Sequence, residues 1–401
     1  MKMKSNFKLW PVGQGLFYSG TIKYENNQNF NFVYDCGSSS MNIDEIVDHY
    51  VETSLIDKTL DMLVISHFDE DHISGIPKLL TEVKKIKKIF IPYENGIENY
   101  LLFLAFIYGN DGNINEKIDE IILVNSTGPE NENNRDFEEL NTSIEIEDNF
   151  SLPNIKVGVF KGSSIKYRNL WKFKFYNTYL RKTNFSSKIK EEIINLIKDS
   201  GCKGLEELLK KLNSPVKNDE NCDKEISVKN SLKKIYEKYC SSSYGNSKQN
   251  QSSLCLYHSP LLNDMNMEIS IYQHDILSIS TFIDPFFWYG DMIIGTLLTG
   301  DISLRQEKQA KRYNDFKNHY KNECIDVLFF LTPHHGSSKN WNKDVLHDFP
   351  MAYFYLNSAG LLSKYDHPSD SVIGDIIKSG RYILNSNEKA LVEYSIDLID
   401  K

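Results

Sequence analysis

The segment Leu63-Val64-Ile65-Ser66-His67-Phe68-Asp69-Glu70-Asp71-His72-Ile73-Ser74-Gly75 constrains this chain more than any other. Met62 to Ile65 is a short, continuous apolar run. Such a run reads as a strand buried on both faces, the kind found in sheets covered by helices. Two histidines and three acids follow within six residues, from His67 to His72. The carboxyl ends of strands are where α/β proteins gather ligand-binding groups. Imidazole and carboxylate together suit zinc, iron or manganese. The bland alternative is a solvated acidic loop. A wholly apolar strand leading into acids flanked by histidines on both sides argues for metal instead.

The rest of the chain supports a layered α/β architecture with an interruption. Phe7 to Val12, Leu16 to Ile22 and Phe30 to Tyr34 read as successive strands, punctuated by Gly13, Gly15 and Gly37. Ile43 to Val51 reads as a helix, His72 to Val83 as another, and Ile89 to Ile91 as a strand. Strand–helix alternation of this kind implies sheets flanked by helices. Residues 126–150 read as loop. Residues 186–213 carry isoleucines and leucines at helical spacing, 214–230 read as a polar linker, and Ser231 to Tyr239 as a further helix. Ser241 to Ser253 is rich in Ser, Asn and Gln. The simplest organisation is one α/β domain over residues 1–401 with a helical insertion at about 162–246. Strands resume at Ser253 and the alternation continues to Tyr394.

Three later segments carry chemistry-bearing residues. Thr296-Leu297-Leu298-Thr299-Gly300-Asp301 ends a buried strand in one carboxylate; alone it is a common turn pair, in place it is a candidate bridge between two metals. Phe330-Leu331-Thr332-Pro333-His334-His335-Gly336-Ser337-Ser338 sends two histidines off another apolar strand, where a polar turn or helix cap is the alternative. Tyr365-Asp366-His367-Pro368-Ser369 holds a histidine that by itself reads as a surface turn.

Together these segments resemble the metallo-β-lactamase superfamily and, within it, the hydrolase domain of the ComEC competence proteins. The likeness runs in order through Val12-Gly13-Gln14-Gly15, Tyr34-Asp35-Cys36-Gly37, the His67–His72 loop, Asn250-Gln251-Ser252-Ser253-Leu254, Leu298-Thr299-Gly300-Asp301, Pro333-His334-His335-Gly336-Ser337 and Tyr365-Asp366-His367-Pro368. Asp69 stands where the superfamily usually has a second histidine. The resemblance implies a four-layer αββα sandwich and two divalent metal ions, zinc or manganese. It assigns His67 and Asp69 to the first metal, Asp71, His72 and His367 to the second, and Asp301 as a bridge. The strand-end Asp35 would support the metal loop. Asp71 would also orient the attacking water, and His334 or His335 would contact the scissile phosphate or protonate the leaving group. Two ions ~3.5–4 Å apart would activate water and stabilise the leaving oxygen.

The superfamily's usual third-motif histidine has no evident counterpart. His258 and His274 are the nearby choices, and His258 reads more readily as a surface residue at a strand end.

The implied function is phosphodiester hydrolysis, with DNA as substrate, in a bacterial defence (antiviral) or DNA-processing system. A partner protein would dock on the helical insertion. Two other classes stay open: a hydrolase of small esters, lactones or thioesters, and a partner-dependent or scaffold subunit with little activity alone. The net charge of -9 excludes a module that grips nucleic acid through a general basic surface. The basic run Lys84-Lys85-Ile86-Lys87-Lys88 reads as a solvated helix end, and Phe286-Phe287-Trp288-Tyr289 as core aromatics, with base stacking the alternative. No apolar stretch approaches the ~18 residues that span a membrane. The six cysteines form no C-x-x-C pair, so a cytoplasmic protein with reduced thiols is expected.

Overall fold

The computed structural model describes residues 3–24, 28–93, 96–110, 114, 116–125, 135–138, 140, 150–152, 154–177, 185–212, 219–240, 253–261, 266–275, 280–288, 294–305, 310–361 and 365–399. In chain order the first half gives β1 (Met3–Leu9), β2 (Gly15–Tyr24), β3 (Gln28–Ser38), α1 (Asp44–Ser54), β4 (Thr59–Val64), α2 (Glu70–Ile73), α3 (Ile76–Glu82), β5 (Lys85–Pro92), α4 (Glu98–Gly109), β6 (Ile118–Val124), β7 (Arg135–Asp136), β8 (Lys156–Phe160), β9 (Ser164–Tyr167) and β10 (Trp171–Tyr176). There follow α5 (Phe185–Asp199), α6 (Leu205–Leu212), α7 (Asp219–Cys240), β11 (Cys255–Pro260), β12 (Asn266–Asp275), β13 (Ser280–Trp288), β14 (Gly295–Leu298), α8 (Ala310–His319), β15 (Val327–Leu331), α9 (Val345–Asp348), β16 (Phe354–Ser358), α10 (Asp370–Lys378), β17 (Tyr382–Ser386) and β18 (Ala390–Ile399).

The strands form two sheets. One runs β13-β12-β18-β1-β2-β3-β4-β5-β6-β8 and the other β17-β16-β15-β14-β11-β10-β9-β7. Their facing sides bury one apolar cluster that includes Phe7, Phe32, Val64, Phe173, Leu298 and Phe329. The outer face of the first sheet is covered by α1, α3, α4 and α5–α7, and that of the second by α8–α10, each with its own buried cluster. This is the four-layer αββα sandwich that the resemblance implies. β3 to β6 run parallel, as do β14 to β17. Parallel strands buried on both faces explain why β4 and β15 read as unbroken apolar runs.

The insertion differs from the expected 162–246 in its extent. Residues 164–167 and 171–176 are strands of the second sheet, and β10 pairs directly with β11 across the inserted helices. The alternation in Trp171-Lys172-Phe173-Lys174-Phe175 is a strand signature: Trp171, Phe173 and Phe175 are buried in the apolar layer between the sheets. The helical part begins at Phe185, and α7 starts at Asp219, inside the stretch expected to be linker. Helix α4 carries no polar face to betray it. Every residue from Asn99 to Gly109 is buried, because the insertion closes over it. Gly109 makes this close: a Cβ there would stand 2.9 Å from the backbone nitrogen of Lys233 on α7.

The side chains of Phe286 to Tyr289 and the stretch Asn250 to Ser252 lie outside the described residues. Lys85, Lys87 and Lys88 pair with Asp119, Asp61 and Glu120. The basic run is therefore occupied within the fold. Among the described residues no helix is long and apolar enough to cross a membrane.

Candidate metal centre

The site lies where β3 and β4 of one sheet and β14 and β15 of the other reach their carboxyl ends. β4 delivers Ser66 and His67, and the single turn of α2 delivers Asp71 and His72. The turn can sit this close to the sheet because Gly37 lacks a side chain. A Cβ there would meet the backbone of His72 and Ile73 at 2.5 Å. Gly15 is similarly tight: a Cβ there would stand 2.8 Å from the carbonyl oxygen of Asp71. These glycines, strand punctuation by residue type alone, are contact surfaces within β2 and β3.

Asp35 is the extra residue of a bulge in β3: Phe17 pairs with Cys36 and Tyr18 with Tyr34. Its φ of 57° is in the left-handed region. The bulge turns its buried carboxylate onto the metal loop. Oδ1 accepts the Ser66 N–H at 2.6 Å, and Oδ2 accepts the Ser66 hydroxyl at 2.6 Å and the His72 Nδ1–H at 2.8 Å. With its proton committed to Asp35, the Ser66 hydroxyl accepts from His67 Nδ1 at 2.8 Å. His335 Nδ1 donates to the carbonyl of Ser358 at 2.7 Å. All three imidazoles therefore hold a proton on Nδ1 and direct Nε2 into the site, the arrangement that second-layer partners impose on metal-binding histidines.

Asp301 is the centre on which they converge. Its N–H is held by Ser253 Oγ at 3.0 Å and its carbonyl accepts from Asn340 at 3.2 Å. One carboxylate oxygen, Oδ2, lies 3.8 Å from His67 Nε2 and 3.6 Å from His334 Nε2. The other, Oδ1, lies 3.1 Å from His72 Nε2 and 3.8 Å from His335 Nε2. Asp69 Oδ2 is 3.6 Å from His67 Nε2, on the first side. Asp71 Oδ2 is 3.1 Å from His335 Nε2, on the second. His67, His72 and Asp301 form one group able to hold an ion, and Asp71, His72 and His335 form another.

The turn after β15 explains the histidine pair. His334 and His335 have φ of 49° and 55°, and Gly336 follows at 80°. Two successive left-handed non-glycine residues are a strained arrangement, held here because Gly300 O accepts the His334 N–H at 3.0 Å and Ser358 fixes the ring of His335.

Electrostatics follow from burial and crowding. Burial opposes ionisation of Asp301, yet His334, His72 and His335 outweigh it and hold the carboxyl well below its usual range. Burial likewise works against the charged form of His72, but Asp301, Asp35 and Asp71 together raise its pKa well above the ordinary value. For His334 burial wins and the pKa falls.

These residues fit divalent cations. The Nε2 atoms of His67 and His72 are buried and have no hydrogen-bond partner among the described residues. Both present lone pairs to carboxylate oxygens, an arrangement that is repulsive unless a proton or a cation lies between. A cation satisfies every one of these atoms at once.

Of the expected ligands, His67, Asp71, His72 and Asp301 are brought together in these groups, and Asp69 adjoins His67. His367 belongs to neither group; its ring is 6.0 Å from that of His334, at the edge of the site. His335, expected at the scissile phosphate, lies beside Asp71 and His72, its Nε2 3.1 Å from Asp71 Oδ2. His258 is neither ligand nor surface residue. It is fully buried among Phe7, Phe32 and Trp171 and bonded to the Tyr18 hydroxyl at 2.9 Å.

Fold and side chains define a four-layer αββα sandwich with a site suited to divalent cations. No protein-family model matches the chain and no curated protein matches it. Among solved structures, the crystal structure of a long form RNase Z from yeast aligns at 9% identity with a TM-score of 0.34, over 82% of this chain and 32% of that one. The chain thus spans about a third of that neighbour's length, and so distant a likeness says nothing of what this chain does.

Proposed function

We propose that the protein is a metal-dependent hydrolase of phosphodiesters, with DNA as substrate, working in a DNA-processing or bacterial defence system. The observation that carries the hydrolase reading is the division of Asp301: each carboxylate oxygen faces its own pair of imidazole nitrogens. His67, Asp69 and His334 would hold one ion with Asp301 Oδ2. Asp71, His72 and His335 would hold a second with Oδ1. His334 thereby supplies the nitrogen that the superfamily's third-motif histidine would otherwise provide. When bound, the ions would supply Lewis-acid stabilisation of charge and lower the pKa of water.

The chain's own residues do the rest. Asp35 and Ser66 keep the imidazoles in the tautomer that faces the site. Buried strand ends exclude water from their back. His367, half-buried beside His334, carries an Nδ1 with no hydrogen-bond partner among the described residues, and its pKa is pushed down to about 4 by burial and by His335 and His334. It is a neutral imidazole placed to accept a hydrogen bond from the substrate or from an attacking water. Three carboxylates beside four imidazoles move the preference toward manganese relative to an all-histidine site. The choice of DNA rests on the sequence resemblance to the ComEC hydrolase domain.

The test is cleavage of labelled single- and double-stranded DNA, bis(p-nitrophenyl) phosphate and a lactone by wild type and Asp301→Ala, with manganese, magnesium or zinc. Manganese-dependent cutting of DNA that disappears in the variant is the expected result. Lactone turnover without phosphodiester cleavage would replace the nuclease reading with the small-ester one. Bound metal with no turnover of any of these would point to a partner-dependent subunit.

A further inference from the structure

The helical insertion reaches the metal loop itself. The hydroxyl of Tyr236, on α7, donates to the carbonyl oxygen of Phe68 at 3.0 Å. Phe68 lies between His67 and Asp69, the residues placed at the first metal. Its side chain is buried in the same apolar cluster as Leu232, Ile235 and Tyr239 of α7. The ring of Tyr236 packs against Phe106 of α4 at 4.9 Å between centroids. The near contact of Gly109 with Lys233 brings α7 down onto α4 one turn before Tyr236. The hydroxyl thus stands on a braced helix, 168 residues away in sequence from the group it holds. Burial, with Cys240 and Asp69 adding to it, raises the Tyr236 pKa well above the ordinary phenol, so the hydroxyl keeps its proton and donates.

We infer that Tyr236 is a positioning residue for the metal loop, and that the insertion sets metal affinity through it. A loop peptide flanked by two ligands has one carbonyl that fixes the direction of both. Tying that carbonyl to α7 limits rotation of the peptide between Phe68 and Asp69, and so the angle at which His67 and Asp69 approach one ion. This inference rests on the metal reading of the site.

The experiment is titration of cobalt(II) into metal-free, full-length protein, read by its visible absorption, in wild type, Tyr236→Phe and Tyr239→Phe. Tyr236→Phe keeps the ring against Phe106 and removes only the donor. Tyr239 lies on the same helix and donates to Glu192 of α5 at 2.6 Å, so Tyr239→Phe loosens the insertion without touching the loop. The expected result is cobalt binding about tenfold weaker in Tyr236→Phe, the low end for loss of an outer-layer partner. Its absorption bands should shift, while Tyr239→Phe matches wild type. Tyr236→Phe equal to wild type in affinity and spectrum overturns the inference. So does an equal loss in Tyr239→Phe, which would show general loosening. Wild type that binds no cobalt overturns the metal reading and this inference with it.

Discussion

Asp35 and His72 share a buried hydrogen bond of 2.8 Å between Oδ2 and Nδ1, across 37 residues of sequence. The bond fixes which nitrogen of His72 faces Asp301, and the same carboxylate fixes Ser66 and, through it, His67. Asp35→Ala is therefore expected to weaken metal binding 10- to 100-fold, the range of about one to two decades typical of such outer-layer partners. Equilibrium dialysis with manganese or zinc measures it. Unchanged affinity would mean that the imidazoles find the same orientation without Asp35.

His335, and not His367, stands with Asp71 and His72 in a group able to hold an ion. His335→Ala should lower the metal content of the purified protein, because its Nε2 belongs to the Asp71–His72 group. His367→Ala should leave metal content at the wild-type level and slow phosphodiester turnover by about tenfold, the rate equivalent of losing one hydrogen bond of about 1–1.5 kcal/mol. Elemental analysis beside a rate measurement separates the two. Metal loss in His367→Ala with none in His335→Ala would restore the original assignment.

Much of this was legible in the chain because the chemistry is local. The apolar strand and His67 to His72 sit in one segment, and each later ligand follows its own buried strand. What was not legible depends on contacts between distant residues. His258 looks like a strand-end residue until β11 is seen to turn it into the layer between the sheets. The approach of His335 to Asp71 depends on two left-handed residues after Pro333, which no pattern of residue types announces. The strands hidden at the start of the insertion are short, four and six residues, beside long helical periodicity that dominates the reading. Tyr236 gives no sequence signal at all; only its 3.0 Å contact with Phe68 marks it.

The glycines differ sharply in what they tolerate. Gly37→Ala puts a Cβ 2.5 Å from backbone atoms of His72 and Ile73, so the metal loop must move away from β3. Overpacking of this kind costs about 1–3 kcal/mol, and metal affinity should fall with stability. Gly374 lies within α10 with no atom within 4 Å of the position its Cβ would occupy. Gly374→Ala should raise stability by about 0.5–1 kcal/mol, since alanine is the better helix former. Chemical denaturation of both variants checks the contrast; equal effects would show that the metal loop gives way to a Cβ at Gly37 without cost.

Acid sensitivity should trace in part to His258. Burial pushes its pKa down to about 3 in the folded protein, against 6.5 for a free imidazole. The folded form thus binds fewer protons there than the unfolded chain between those two values. Its contribution to stability is fully present above the unfolded pKa and is lost as pH falls through the window toward 3. The loss is at most about 1.4 kcal/mol per pH unit for one proton. The groups facing it are aromatic rings and the hydroxyl of Tyr18, whose own pKa burial raises well above the ordinary phenol, so among the described residues no charged partner offsets the cost. His258→Phe, a ring of similar size among Phe7, Phe32 and Phe173, should flatten the dependence of unfolding free energy on pH between 6 and 4 by about one proton. At neutral pH it should cost about 1 kcal/mol for the lost hydrogen bond to Tyr18. Urea melts of wild type and variant across that range give the slope directly, and identical slopes would place the titrating groups elsewhere.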